Sequence, residues 1–119
     1  MMSIENIRVA LHRSWSLESS SKWTRENPAN GQCGVTALVV NDLLGGKIVK
    51  TNCIGGWHFY NKLKGIRYDF TEEQFPEVIE YDDILSSREE AFADTNLQQY
   101  NALRKKVYRE LSFLNENLS

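Results

Sequence analysis

The sequence contains few of the residues that usually point to a function at once. Its 119 residues include two cysteines, two prolines and two histidines, and the formal net charge is only −2. Two cysteines cannot build a disulfide framework, and a slightly acidic chain has no basic stripe for a phosphate backbone. We therefore expect free thiols and no nucleic-acid partner.

The sequence gives no reason to expect an export signal or a membrane span. Its first residues have no basic segment followed by an apolar one, and no run approaches the roughly 18 apolar residues that cross a bilayer. We therefore expect a cytoplasmic protein that makes no membrane contact. Its length and its 41% hydrophobic residues predict one domain, over residues 1–119.

Helical patterns occur at both ends of the chain and in its middle. Residues 4–12, and again residues from about 95 onward, place apolar side chains at every third or fourth position. The run 33–44 is apolar nearly all round and stops at Gly45-Gly46, which predicts a buried central helix. Segment 16–32 is rich in turn-forming residues and predicts an ordered loop.

Three short extended segments follow the central helix. They cover residues 47–51, 56–63 and 66–70, and the last two are separated by the hairpin signal Lys64-Gly65. This order predicts an antiparallel meander, followed by an irregular segment up to about residue 95. We predict an α+β fold in which the helix bearing Cys33 packs on a small antiparallel sheet and a long helix ends the chain.

Cys33 stands at the predicted start of the central helix, directly after Gln32. Unpaired N–H groups and the dipole at that end of a helix stabilise a thiolate, so the position is typical of a nucleophile. Gln32 offers an amide that can donate to an oxyanion, and it is included in the predicted site. The alternative is that Cys33 is only a small buried residue at a helix start.

His58 and Asp69 offer a base and an orienting carboxylate. Strand alternation places His58 and Tyr60 on the same face of the second extended segment. Asp69 lies on the next segment, where a tight hairpin brings its carboxylate level with the imidazole. The alternatives are a hydrogen-bonded structural histidine and an aspartate that caps the following turn.

Four strings in the chain resemble the YunG-like family of small bacterial proteins. They are Asn27 to Val40, Gly45-Gly46, Trp57 to Asn61, and Tyr68 to Phe75, and the resemblance extends over most of the chain. The Cys, His, Asp order of that family is similar to the core of papain-like and transglutaminase-like proteins. The resemblance implies that Cys33, His58 and Asp69 act as nucleophile, base and orienting acid.

The chain departs from the papain-like pattern at the oxyanion glutamine. In that pattern the glutamine stands several residues before the cysteine, whereas Gln32 is adjacent to Cys33. Asn27, Asn30 or a backbone amide are the alternatives for this role. Three tryptophans could line a cleft around the cysteine or belong to the core: Trp15, Trp23 and Trp57.

The expected activity is that of a thiol-dependent hydrolase or acyltransferase without a cofactor. Its substrate would be a small molecule, or an amide of a peptide or protein, while the oligomeric state stays open. One alternative is a non-catalytic binding module with the same fold. Another is a zinc site formed by Cys33, Cys53, His58 and Asp69, although no CxxC or HExxH spacing supports it.

Overall fold

The structure, a computed structural model, describes residues 3–116. Within that range four α-helices and four strands form an α+β fold, with a turn of 3-10 helix at Glu72–Gln74. In chain order the elements are α1 (Ile4–Ser14), α2 (Cys33–Leu44), β1 (Lys47–Cys53), β2 (Gly56–Leu63), β3 (Ile66–Tyr68), β4 (Ile84–Leu85), α3 (Arg88–Ala93) and α4 (Leu97–Glu116).

The strands form one antiparallel sheet in the order β3-β2-β1-β4. Lys64 and Gly65, between β2 and β3, have φ angles of 52° and 79°. Two successive positive φ angles give the hairpin turn whose twist matches that of the flanking strands. The predicted meander is therefore confirmed, with β1 two residues longer and β3 two residues shorter than expected.

Helix α2 is buried between the sheet and two other helices. On the sheet side, Ala37 and Leu38 pack with Phe59, and the Asn61 side chain donates to the Ala37 carbonyl at 3.0 Å. On the other side, the residues of α2 that join α1 and α4 in the main core are Val35, Val39 and Val40. A helix enclosed in this way must be apolar all round, as its sequence is.

The segment between Pro76 and residue 95 contains two elements, so the expectation that it is irregular is wrong. Strand β4 pairs with Val49 and Lys50, and helix α3 follows it. The Ser87 hydroxyl caps α3 by accepting from the Glu90 N–H at 3.2 Å. Ser87-Arg88-Glu89-Glu90 is a recognisable capping sequence, but α3 has only six residues, too few for a clear helical period.

The described residues form one body. Tyr100 packs against both hydrophobic clusters, the one between α1, α2 and α4 and the one between α2 and the sheet. The ends of the predicted domain, residues 1–2 and 117–119, lie outside the described range. Within that range, no helix combines the length and hydropathy that a membrane crossing requires.

Candidate functional site

Cys33 begins α2, as predicted, and its side chain is almost buried. The preceding residue, Gln32, makes no side-chain cap for the helix. A carboxylate from the corner between α3 and α4 takes that place instead. Asp94 Oδ2 accepts from the Gly34 N–H at 3.2 Å and from the Cys33 thiol at 3.5 Å.

Gly34 permits this close approach of α3 to the start of α2. A Cβ at position 34 would lie 2.5 Å from Asp94 Oδ2, 2.8 Å from Asp94 Cβ and 3.0 Å from the Ala91 carbonyl oxygen. Real Cβ atoms essentially never come within 3.0 Å of another heavy atom, so a side chain at position 34 would require Asp94 to move. The glycine after the cysteine therefore serves the contact with Asp94.

The environment of Cys33 raises the pKa of its thiol, which corrects the expectation from the helix terminus. Burial and the charge of Asp94 raise this pKa from about 9 to about 12, while the backbone N–H of Phe59 has a smaller, lowering effect. Desolvation disfavours the thiolate, and the carboxylate already occupies the positive end of the helix. At neutral pH Cys33 is therefore a thiol that donates to Asp94.

His58 and Asp69 form a buried pair, as predicted, but Asp69 lies just after the end of β3 and not on the strand. His58 Nε2 lies 2.6 Å from Asp69 Oδ2, and the two side chains are 1% and 3% exposed. Asp69 also accepts from the Tyr81 hydroxyl at 2.8 Å and from the Thr71 N–H at 3.1 Å. Because Asp69 accepts from each of these donors, we assign the donor role in the pair to Nε2, which makes Nδ1 the acceptor of the ring in that tautomer. Among the described residues, Nδ1 has no hydrogen-bond partner.

Cys33 lies beside the strand that carries His58, but it is not bonded to the imidazole. β3 pairs only with residues 61–63 of β2, which leaves this edge of β2 unpaired near His58 and Phe59. The Cys33 sulfur lies next to the Phe59 N–H, in the peptide that follows His58. Strand alternation directs His58 to the face opposite Phe59. The hydrogen bond that the thiol donates goes to Asp94.

A cavity of about 250 Å³ lies in front of Cys33. Its lining is mostly polar and includes Lys22, Asn30, Gln74, Asp94 and Trp57, with Cys53 at the end of β1. Phe75 also lines the cavity, and its ring meets His58 edge-on at a centroid distance of 4.9 Å. Phe75 therefore stands between the cavity and the imidazole.

Two of the three tryptophans belong to the core. Trp15 is buried, and its Nε1 donates to the Thr36 hydroxyl at 3.0 Å. Trp23 packs against the same core. Only Trp57 lines the cavity, where its ring also lies against the Lys50 ammonium at 4.3 Å.

Gln32 does not point into the cavity. Its side chain is fully buried, and its amide donates to the Ser16 carbonyl at 3.5 Å. The Asn27 amide donates to the Gln74 carbonyl at 3.2 Å. Of the three predicted amide donors, Asn30 is the one that lines the cavity.

The site includes one residue that the sequence analysis missed, Asp94. It lies 60 residues from Gly34, and only the packing of α3 onto α2 brings the two together. The capping sequence at Ser87 was the available signal, because it predicts a helix whose end presents Asp94. Nothing local in the sequence predicts the contact with Cys33.

The part of the chain that the structure describes contains no set of ligands for the zinc site considered as an alternative. There, no group of three or more His, Cys, Asp or Glu side chains converges as a metal site would require. Cys33 and Cys53 line the same cavity, and both are free thiols.

Comparison with known proteins gives the family but no mechanism. The family described as YunG protein matches residues 3–112. The chain is 54% identical over 113 residues to a protein of Bacillus subtilis (strain 168) named "Uncharacterized protein YunG", covering 95% of this chain and 98% of that protein. No solved structure matches the chain, so the papain-like or transglutaminase-like core stays a prediction. The chain belongs to the YunG protein family.

Proposed function

We propose that this protein is a thiol-dependent hydrolase or acyltransferase that acts on an amide or other acyl bond through Cys33, His58 and Asp69. The observation that carries the proposal is the unpartnered Nδ1 of His58. It belongs to a buried imidazole that is held by a carboxylate and lies on the strand next to the cysteine.

A buried nitrogen without a partner is costly for a structural histidine. Leaving such an acceptor unpaired costs on the order of 1–3 kcal/mol, and folded proteins rarely keep one without a use. The Asp69 carboxylate fixes the tautomer in which Nδ1 can accept a proton. The pair thus has the chemistry of a base and its orienting acid.

In the proposed reaction Phe75 first moves aside so that the imidazole of His58 reaches the cavity, and the thiol then leaves Asp94 and gives its proton to His58 Nδ1. The sulfur electron pair then forms the S–C bond to the acyl carbon, and the carbonyl π electrons move onto oxygen. When that oxyanion collapses, the C–N bond breaks and the leaving amine takes the proton from His58. Water or an amine gives its proton to His58 and attacks the acyl carbon. The sulfur then leaves the acyl carbon and recovers the proton.

The cavity supports a small or terminal amide as the substrate. Its volume of about 250 Å³ is enough for a small molecule or the end of a chain, but not for an extended peptide. Asn30, which lines the cavity, and the N–H of Gly34, next to Cys33, are the donors that we assign to the oxyanion. Lys22 adds a positive charge that favours a developing oxyanion.

Acylation by p-nitrophenyl acetate tests the proposal. We expect a burst of nitrophenol and an acetyl group on Cys33, located by peptide mass spectrometry. The Cys33→Ala variant should lose the burst and the adduct, His58→Ala should slow acylation at least tenfold, and Cys53→Ala, the matched control, should leave it unchanged. Equal acylation of both cysteines, or no effect of His58→Ala, would contradict the proposal.

A non-catalytic binding module is the second candidate, and the raised thiol pKa favours it. In this second candidate Cys33, with a pKa of about 12, acts as a hydrogen-bond donor to Asp94 and not as a nucleophile. If this candidate is right, the Cys33→Ser variant still binds the ligands of the cavity, and the wild-type protein forms no acyl adduct on Cys33. Screening small amides and amines by thermal shift, with the acylation assay in parallel, separates the two.

A further inference from the structure

Asp94 lies where two groups needed for acyl transfer meet. Its Oδ2 contacts the thiol of Cys33, which would form the new bond, and the Gly34 N–H, which can stabilise an oxyanion. One carboxylate oxygen therefore engages both groups at once. No substrate carbonyl can reach the Gly34 N–H while Asp94 holds it.

We propose that Asp94 is a positioning residue of the Cys33 site, which holds the thiol in its protonated form and occupies the place that the carbonyl oxygen of an amide substrate takes at Gly34. The inference deepens the proposed function and rests on it for the identity of the substrate. The effect of Asp94 on thiol reactivity can be measured independently of that function.

The packing around Asp94 supports a carboxylate that can be displaced. Asp94 lines the Cys33 cavity and a neighbouring cavity of about 290 Å³, and Gly55 and Trp57 border both. The carboxylate is therefore part of the wall that the two cavities share. Gly34 leaves room for an oxygen but none for a Cβ, so the space at its N–H suits a carbonyl or carboxylate oxygen.

The charges around Asp94 also favour its replacement by a neutral group. Burial is the largest influence on the Asp94 carboxyl and raises its pKa, although hydrogen bonds from Cys33 and Gly34 oppose the rise. Three titratable groups face it: Cys33 from α2, His58 from β2 and Lys22 from the loop before α2. A carbonyl oxygen at the same place would avoid the cost of a buried charge.

Iodoacetamide labelling of Cys33 across pH 6–10 tests the role of Asp94. Asp94→Asn keeps the shape and removes the charge, and Asp94→Ser keeps an acceptor for the Gly34 N–H. We expect either variant to label Cys33 about tenfold faster at pH 8, with the rate profile shifted to lower pH, because one unit of thiol pKa changes the thiolate fraction tenfold. Glu89→Gln is the matched control, since it removes an equal charge from the exposed side of α3.

Unchanged labelling of Cys33 in both Asp94 variants, with folding verified by circular dichroism, would overturn the inference. Cys53 serves as the internal reference in every sample. The double variant Asp94→Asn/His58→Ala separates this inference from the proposed function. If it labels as fast as Asp94→Asn alone, Asp94 controls the thiol but His58 is not its base. If it is slower, both the positioning role and the base gain support.

Discussion

Two clusters of polar side chains lie on either side of one strand, and they are built differently. Around Asp69, the carboxylate accepts from His58, Tyr81 and Thr71, and only Nδ1 is left over. Around Asp94, the Cys33 thiol donates to the Asp94 carboxylate, and the pKa of each of these two acidic groups is raised. In the first cluster every contact of the carboxylate is a favourable hydrogen bond, whereas the second stays in place at an electrostatic cost. A base must be held still, but a nucleophile must be able to change partners.

Asp69→Ala should have the largest effect, because it removes the centre of the first cluster. His58, Tyr81 and Thr71 would each keep a buried donor without its acceptor. We expect a loss of about 3 kcal/mol or more in the free energy of unfolding, measured by urea denaturation. Asp82→Ala, at an exposed aspartate, is the control. A loss below about 1 kcal/mol would show that these hydrogen bonds do not hold the cluster together.

Gly34→Ala should disturb the other cluster alone. The new Cβ would meet Asp94 and the Ala91 carbonyl at 3.0 Å or less, so the α3–α4 corner must shift. Overpacking of this kind costs about 2 kcal/mol. Hydrogen exchange should show faster exchange in α3 and unchanged protection in β2. Equal loss of protection in both elements would mean that the two clusters are not independent.

The pH dependence of stability should report the thiol of Cys33. Its pKa is about 12 in the folded protein and near 9 in the unfolded chain, so the unfolded chain alone loses a proton between those values. Stability therefore falls as pH rises above 9, by about 1.4 kcal/mol at pH 10. Cys33→Ala should lack this part of the decrease, and Cys53→Ala should retain it. Parallel curves for the wild type and Cys33→Ala would contradict a raised thiol pKa.

Asp94→Asn should have the smallest effect on stability, and its sign is informative. The folded protein holds the Asp94 proton more tightly than the unfolded chain does, so the ionised carboxylate is destabilising at neutral pH. The variant should unfold at a slightly higher temperature than the wild type at pH 7, and this advantage should vanish as the pH falls towards 3. If Asp94→Asn is less stable than the wild type at pH 7, the Asp94 carboxylate stabilises the fold through its hydrogen bonds, as Asp69 does, and the prediction is wrong.

The Asp69 cluster was predictable from the sequence because its geometry is local. Alternation in β2 and the two-residue turn at Lys64-Gly65 determine where His58 and Asp69 stand, and the structure joins them at 2.6 Å. The start of α2 at Cys33 was predictable for the same reason, since the apolar run and the Gly45-Gly46 stop delimit one helix. Periodicity and turn chemistry act over a few residues, which is the range that a single sequence reveals.

The Asp94 cluster was not predictable, because it depends on distant packing. The contact from Asp94 to Gly34 spans 60 residues and requires α3, which is too short to show a helical period. The helix-terminus argument therefore gave the wrong direction for the Cys33 pKa, since it counted the dipole but not the burial or the carboxylate. Gln32 was misplaced for a similar reason: its neighbour in sequence is the cysteine, but its neighbour in space is Ser16.

The lengths of the outer strands bear on how this chain meets other chains. The sheet ends in β3 with three residues and β4 with two, while the inner strands have seven and eight. An edge strand aggregates when it offers a long row of unpaired N–H and C=O groups to a neighbouring molecule. Edges this short offer few such groups, although Ile66 and Leu85 are exposed on them. The two outer strands are therefore themselves too short to pair with a long added strand.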